Sequence, residues 1–218
     1  MIVNVNDINL YYEKRGVGKP LILLHGNGED HHIFDRLAVR LEKDYTVYAI
    51  DSRNHGQSEK TEIYTYETMA EDIYRFILDL GLEGAYFVGF SDGAIISLLM
   101  AMKHGDVMGK MALLGINLKP EDFTEESYQY VKQTYEETKD PLFKLMLEQP
   151  SIELDEVKEV RVPVLLVAAG DDIFKPESFT ALLETLPQAK LKVMEGHDHA
   201  SYIIGQDILY PDLAAFFQ

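Results

Sequence analysis

The sequence predicts an α/β protein, a mostly parallel sheet of eight strands with helices on both faces. Three observations carry this expectation. Short apolar, β-prone runs recur along the chain, helix-length amphipathic segments separate most of the later ones, and 218 residues suit one full domain. The domain is expected to span 1–218.

The first strand is expected over 2–5 (IVNV) and the second over 10–14 (LYYEK). Only residues 6–9 join them, so this pair should be antiparallel. From 21 onward the pattern reads strand, helix, strand. LILL at 21–24 is a continuous apolar run of the kind buried strands make. A helix follows over 32–41, a strand over 46–50 and a helix over 66–80. AYFV at 85–88 is the next strand, and 92–104 is a helix rich in Ala94, Ile95, Ile96, Leu98, Leu99 and Met100. Further strands are expected at 110–114, 164–168 and 190–194, with helices at 179–186 and 210–217. Residues 116–160 break the rhythm. They include the charged, tyrosine-rich EDFTEESYQYVKQTYEETKDPLFKLMLEQ, too long for an ordinary connection. A small helical lid over the sheet's carboxyl edge, where α/β sheets bind ligands, is the expectation for 116–160.

Composition narrows the classes of function. There are 37 acidic and 20 basic residues, for a formal net charge of −17. Such a surface repels phosphate backbones and anionic lipid, so neither nucleic acid nor membrane is an expected partner. The chain has no cysteine, which removes disulfides, thiolate metal sites and a cysteine nucleophile. The opening residues lack a signal-peptide pattern, and no apolar run approaches the roughly 20 residues of a membrane span. A soluble, cytoplasmic protein is expected.

The most informative stretch is GFSDG, residues 89–93, at the junction of a predicted strand and helix. A sharp strand-to-helix turn holds Ser91 clear of both elements. It crowds the backbone, so positions two before and two after must be small, hence Gly89 and Gly93. A serine hydroxyl needs a base, and the base an orienting acid. Of seven histidines, His197 and His199 follow the last strand, at the carboxyl edge. Asp171 and Asp172 follow the strand in VPVLLVAAGDDIF. Either doublet supplies the chain order Ser, Asp, His that such hydrolases use.

Together these stretches resemble the α/β-hydrolase fold family, and the resemblance covers nearly the whole chain. HGNG (25–28) is similar to the family's oxyanion loop. DSRNHGQS (51–58) is similar to its D-x-R-G-H-G-x-S turn, with Asn54 in place of a glycine, and EGHDH (195–199) to its base loop. The resemblance implies Asp172 as the acid, since it precedes the apolar pair Ile173-Phe174, and His199 as the base, three residues after Gly196. His197 is then a polar loop residue. It also implies an oxyanion hole from the N–H groups of Asn27 and Asp92, with His25 and Gly26 as loop scaffold. Asp51, Arg53, His55 and Ser58 form a turn scaffold, and no metal or cofactor is implied. A serine at the nucleophile position excludes the aspartate chemistry of the family's dehalogenases and epoxide hydrolases.

The implied activity is hydrolysis of a small or medium carboxylic ester through an acyl-enzyme. Amide, thioester, lactone or carbon–carbon hydrolysis by the same residues is the alternative, with a non-catalytic binding role behind it. The partner implied is a small-molecule acyl substrate, handled by a monomer or homodimer. Glu29, Asp30, Asp92, Asp171 and Asp198 fall on loops near the expected mouth and favour a cationic or neutral substrate. GFSDGA is also similar to the GWSDGG-like elbow of relatives that hydrolyse amino-acid esters. Aromatic lining of the lid is expected from Phe123, Tyr128, Tyr130, Tyr135 and Phe143.

Overall fold

Leu21, Ile22, Leu23 and Leu24 are all fully buried, as a strand covered on both faces requires. In the computed structural model, which describes residues 1–218, this run belongs to one eight-stranded sheet. Its strands are β1 (Ile2–Val5), β2 (Ile8–Arg15), β3 (Lys19–Leu24), β4 (Tyr45–Ile50), β5 (Ala85–Phe90), β6 (Met108–Leu114), β7 (Val164–Asp171) and β8 (Ala189–Asp198). Their order is β1-β2-β4-β3-β5-β6-β7-β8. β1 and β2 pair antiparallel, as do β2 and β4; every later pairing is parallel.

The helices are α1 (Asp35–Leu41), α2 (Tyr66–Leu80), α3 (Asp92–His104), α4 (Glu125–Thr138), α5 (Pro141–Glu148), α6 (Leu154–Val157), α7 (Pro176–Thr185) and α8 (Tyr210–Phe217). One apolar layer packs α2, α3 and α7 against the sheet through residues such as Phe76, Ile96 and Leu182. The other packs α1 and α8 through Leu37, Leu41 and Leu213. Each expected strand and helix is present; those at 2–5, 66–80, 92–104 and 210–217 keep their expected ends, and the others shift by a few residues. β8 overruns its apolar stretch because β7 continues to pair with it out to Asp171 and Asp198. α7 starts three residues early, since Pro176 has the fixed φ that suits a first helical position. His31–Phe34, expected to be mostly α-helical, is instead a short 3₁₀ turn capped by Asp30.

The insertion is helical, as expected, and it is tied down at several points. Thr124 N–H donates to Ile173 O at 2.9 Å, and Lys175 N–H to Asp122 O at 2.8 Å. Gln149 Oε1 accepts from Tyr66 N–H at 3.2 Å. α4 itself is largely solvated, with Val131 its one buried residue.

The loop after β4 is locked by buried polar groups. Arg53 grips Asp72 of α2 with two hydrogen bonds of 2.6 Å, and both side chains are 2% exposed. Asn6 Nδ2 adds a third bond to Asp72 at 2.8 Å. A buried carboxylate deprived of its cation is strongly destabilising. Arg53→Met is therefore expected to cost about 3–5 kcal/mol in chemical denaturation. A loss below about 1 kcal/mol would show that water reaches Asp72.

Candidate active site

β5 ends at Phe90 and α3 begins at Asp92, so a single residue, Ser91, makes the whole turn. Its φ of 52° and ψ of −114° lie outside the regions open to most side chains. The turn is so tight that a Cβ on Gly89 would strike the carbonyl of Gly93, and one on Gly93 would strike the carbonyl of Leu24. The glycine spacing thus follows from backbone approach. Ser91 N–H donates to Leu114 O at 2.8 Å, which fixes the turn to β6.

The loops after β7 and β8 bring two groups to this serine. His199 Nε2 lies 3.2 Å from Ser91 Oγ. His199 Nδ1 lies 2.8 Å from Asp172 Oδ1, with side-chain exposures of 13% and 3%. The other Asp172 oxygen accepts from Ala169 N–H at 2.9 Å. With Nδ1–H given to the carboxylate, Nε2 is left free to accept the serine proton. The ring is wedged between Phe90, with centroids 5.0 Å apart, and Phe174 at 5.3 Å. Gly115, with φ of 58°, floors it; a Cβ there would come within 2.8 Å of His199 Nδ1. Asp171 is exposed, and His197 bonds to Ser201 Oγ at 3.2 Å, away from the serine.

His25 and Gly26 support the loop after β3. His25 is 1% exposed, and both its ring nitrogens are engaged. Nδ1–H donates to Gly26 O at 2.8 Å and Nε2 accepts from Ser52 N–H at 3.0 Å. Burial, reinforced by the neighbouring His55, pushes its pKa down to about 4, so it stays neutral. Asn27 N–H donates to no protein group, and the first turn of α3 leaves the Asp92 N–H without an intrahelical partner. Asp92 follows Ser91 in the chain, and the Asn27 side chain bonds to Asp92 at 3.0 Å, which brings both residues to the turn.

The expected ring of mouth carboxylates divides. Asp171 and Asp198 face solvent, and Asp30 caps the 3₁₀ turn by accepting from His32 N–H at 2.9 Å. Asp92 points inward instead. It is 4% exposed, and its two oxygens accept from Tyr66 Oη–H at 2.8 Å and Asn27 Nδ2–H at 3.0 Å. Burial raises its pKa and that of Tyr66. Tyr66 has no motif to mark it; only the chain's return through α2 brings it here. Glu29 sits beside Ser91. The point a Cβ on Gly26 would occupy lies 2.8 Å from Glu29 Oε2 and 3.1 Å from Ser91 Cβ. Glu29 accepts from Gly26 N–H at 3.0 Å, and burial pushes its pKa up to about 7.

Beside Ser91 is a narrow chamber, too tight in this structure to admit a water molecule, bounded by Tyr66, Asp92, Asn117, Phe123, Met146, Gln149 and Phe174. Of the five aromatics expected to line the insertion, Phe123 alone reaches it. Tyr130 is 67% exposed, and Tyr128 lines a separate open groove that Phe123 also borders. Met146 and Phe174 take the expected aromatics' place. α5 rests on the loop after β3, where Asn27 Nδ2–H also donates to Leu142 O at 3.2 Å.

A protein-family model described as the alpha/beta hydrolase fold matches residues 19–147. The chain is 37% identical over 110 residues to the AB hydrolase superfamily protein YisY of Bacillus subtilis (strain 168), covering 49% of this chain and 41% of that protein. It is 32% identical over 121 residues to a fluoroacetate dehalogenase of Burkholderia sp, covering 53% and 40%. The chain thus matches about two fifths of the length of either curated relative. A thermophilic esterase from Thermogutta terrifontis superposes with a TM-score of 0.84 at 18% identity, over 100% of this chain and 97% of that one. That likeness is one of fold. No helix is long and apolar enough to cross a membrane.

Glu29 carries a pH signature. It holds its proton more tightly in the folded state, about 7 against an ordinary 4.5, so it contributes a loss of stability as pH rises through that window. Glu29→Gln is expected to remove this component. Its Tm should fall less than that of the parent between those pH values; parallel curves would show that Glu29 is solvated.

Proposed function

Because the chain belongs to the α/β-hydrolase fold family, we propose that it is a serine hydrolase cleaving a small or medium carboxylic ester. The observation that carries this reading is the relay from Ser91 Oγ through His199 to Asp172, at 3.2 and 2.8 Å. His199 Nε2 takes the hydroxyl proton as Oγ bonds to the acyl carbon, and Asp172 orients the ring and balances the imidazolium. Charge gathers on the carbonyl oxygen, where the N–H groups of Asn27 and Asp92 receive it. The carbon–oxygen bond to the alcohol then breaks, and His199 passes its proton to the leaving oxygen. Water reverses the sequence: His199 accepts its proton, hydroxide adds to the acyl carbon, and Ser91 leaves with the proton restored.

The tightness of the chamber, which takes substrate only when the insertion moves, supports a compact acyl group. Glu29 and Asp92 lie near the nucleophile, and neither lysine nor arginine bounds the chamber, which favours neutral or cationic substrates over anionic ones. The insertion serves as a lid: Phe123, Met146 and Gln149 close the chamber, and substrate reaches Ser91 when they part. Lactone, thioester, amide and carbon–carbon substrates require the same relay, so the pocket decides among them. The acting species is a soluble cytoplasmic monomer or homodimer, without a cofactor.

The decisive experiment is turnover of p-nitrophenyl esters from acetate to long chain, including aminoacyl esters. Ser91→Ala is expected to lower kcat at least about 10³-fold, with fluorophosphonate labelling of Ser91 in the parent alone. Equal inactivity of both proteins, with no labelling, would defeat the reading. Phe123→Ala should move the optimum to longer acyl chains by opening the chamber toward the groove; an unchanged optimum would remove Phe123 from the substrate path.

A further inference from the structure

The sequence reading expects no metal, and the proposed hydrolysis needs none. A separate cluster lies on the far flank of the loop that carries Asn27. We propose that Asp30, His31 and His32 form a site for a divalent metal ion of the imidazole-preferring kind, such as Zn²⁺ or Ni²⁺.

Each of these three residues offers one ligand-capable atom within 4.8 Å of those of the other two. The second observation is the state of His31. Its side chain is 2% exposed, and its Nδ1 lies 2.7 Å from Asp51 Oδ1, which also accepts from His31 N–H at 2.8 Å. Giving Nδ1–H to Asp51 leaves Nε2 with a lone pair, yet that buried nitrogen has no hydrogen-bond partner. The carboxylate facing it, Glu13, stops 3.6 Å away, beyond hydrogen-bond reach. An imidazole tied at one nitrogen to a carboxylate and free at the other is how metal-binding histidines are held.

The neighbours fit a cation. Asp30 uses one carboxylate oxygen, Oδ1, to cap the turn. His32 is 59% exposed and bonded through Nδ1 to Asp35 at 3.1 Å, so its Nε2 is open and the ring is free to turn. The two imidazoles stack with centroids 4.1 Å and planes 35° apart, so His32 must swing off the stack for its lone pair to meet that of His31. Glu13 and Asp35 add negative charge, and Arg15 is the opposing cation, 2.6 Å from Glu13 and 3.7 Å from Asp35. Two imidazoles and a carboxylate suit a borderline metal better than Ca²⁺ or Mg²⁺, which prefer oxygen ligands. Ligand atoms around Zn²⁺ sit about 2.0–2.2 Å from the ion, so the cluster must tighten, and the exposed His32 supplies that motion. Binding would brace the loop at 25–32 without touching substrate.

The test uses the intact protein after dialysis against EDTA, titrated calorimetrically with ZnCl₂ or NiCl₂ in a non-coordinating buffer. One ion should bind per chain at micromolar or tighter affinity, with a rise in Tm. His32→Ala and Asp30→Asn should each weaken binding at least about tenfold, while His197→Ala keeps it. These positions are chosen because replacing His31 would also disturb Asp51. Absence of binding, binding unchanged in both variants, or binding lost in His197→Ala would overturn the proposal, the last by moving the ion to the loop after β8.

Discussion

A strand of the sheet runs into a helix with one residue between them, and the rest of the site is arranged around that turn. Ser91 is held at a positive φ that costs a residue with a side chain on the order of 1–3 kcal/mol. The surroundings must over-determine it. They do so with two glycines, a largely buried helix behind it, a hydrogen bond to β6 and the close passage of β3 at Leu24. The loop after β3 must approach the same point, which is why Gly26 is pressed between Glu29 and Ser91. One strained residue thus dictates small side chains on three separate elements.

A second constraint is polar. The loop after β4 is buried, so its backbone and side-chain groups need partners inside the protein. Asp51 receives His31 and Gln57, Ser58 Oγ donates to Asp51 O and accepts from Tyr11 N–H, and His25 accepts from Ser52. This web joins the antiparallel edge of the sheet to the loop bearing Asn27. Its members include no proposed catalytic group, yet they set where that loop sits.

Much of this was legible beforehand, for physical reasons. Buried strands in a parallel sheet read as apolar runs, and the glycines at 89 and 93 report a backbone collision that no other residue tolerates. Ser91 and the doublets at 171–172 and 197–199 could be brought to the sheet's carboxyl edge because each lies shortly after such a run, while the choice of Asp172 and His199 within the doublets rests on the resemblance to the family. What stayed hidden depends on distant chain segments meeting. Tyr66 and Asp92 are separated by most of α2 and all of β5, so the burial of that carboxyl has no local mark. Glu29 read as one of several loop acids, and only packing against Gly26 separates it from Asp171 and Asp198. The aromatics of the insertion misled because solvated helices carry tyrosines as readily as pocket walls do; Tyr130 shows it.

The strand order has a consequence for the life of the chain. β7 and β8 are last in sequence and outermost on one side of the sheet, and they carry Asp172 and His199. Ser91 sits near the middle, on a turn completed much earlier in the sequence. A chain whose outer strand is not yet docked would therefore hold Ser91 without His199 beside it. Under the proposed mechanism the relay is complete only once the final strand seats against β7, so turnover would report a finished sheet.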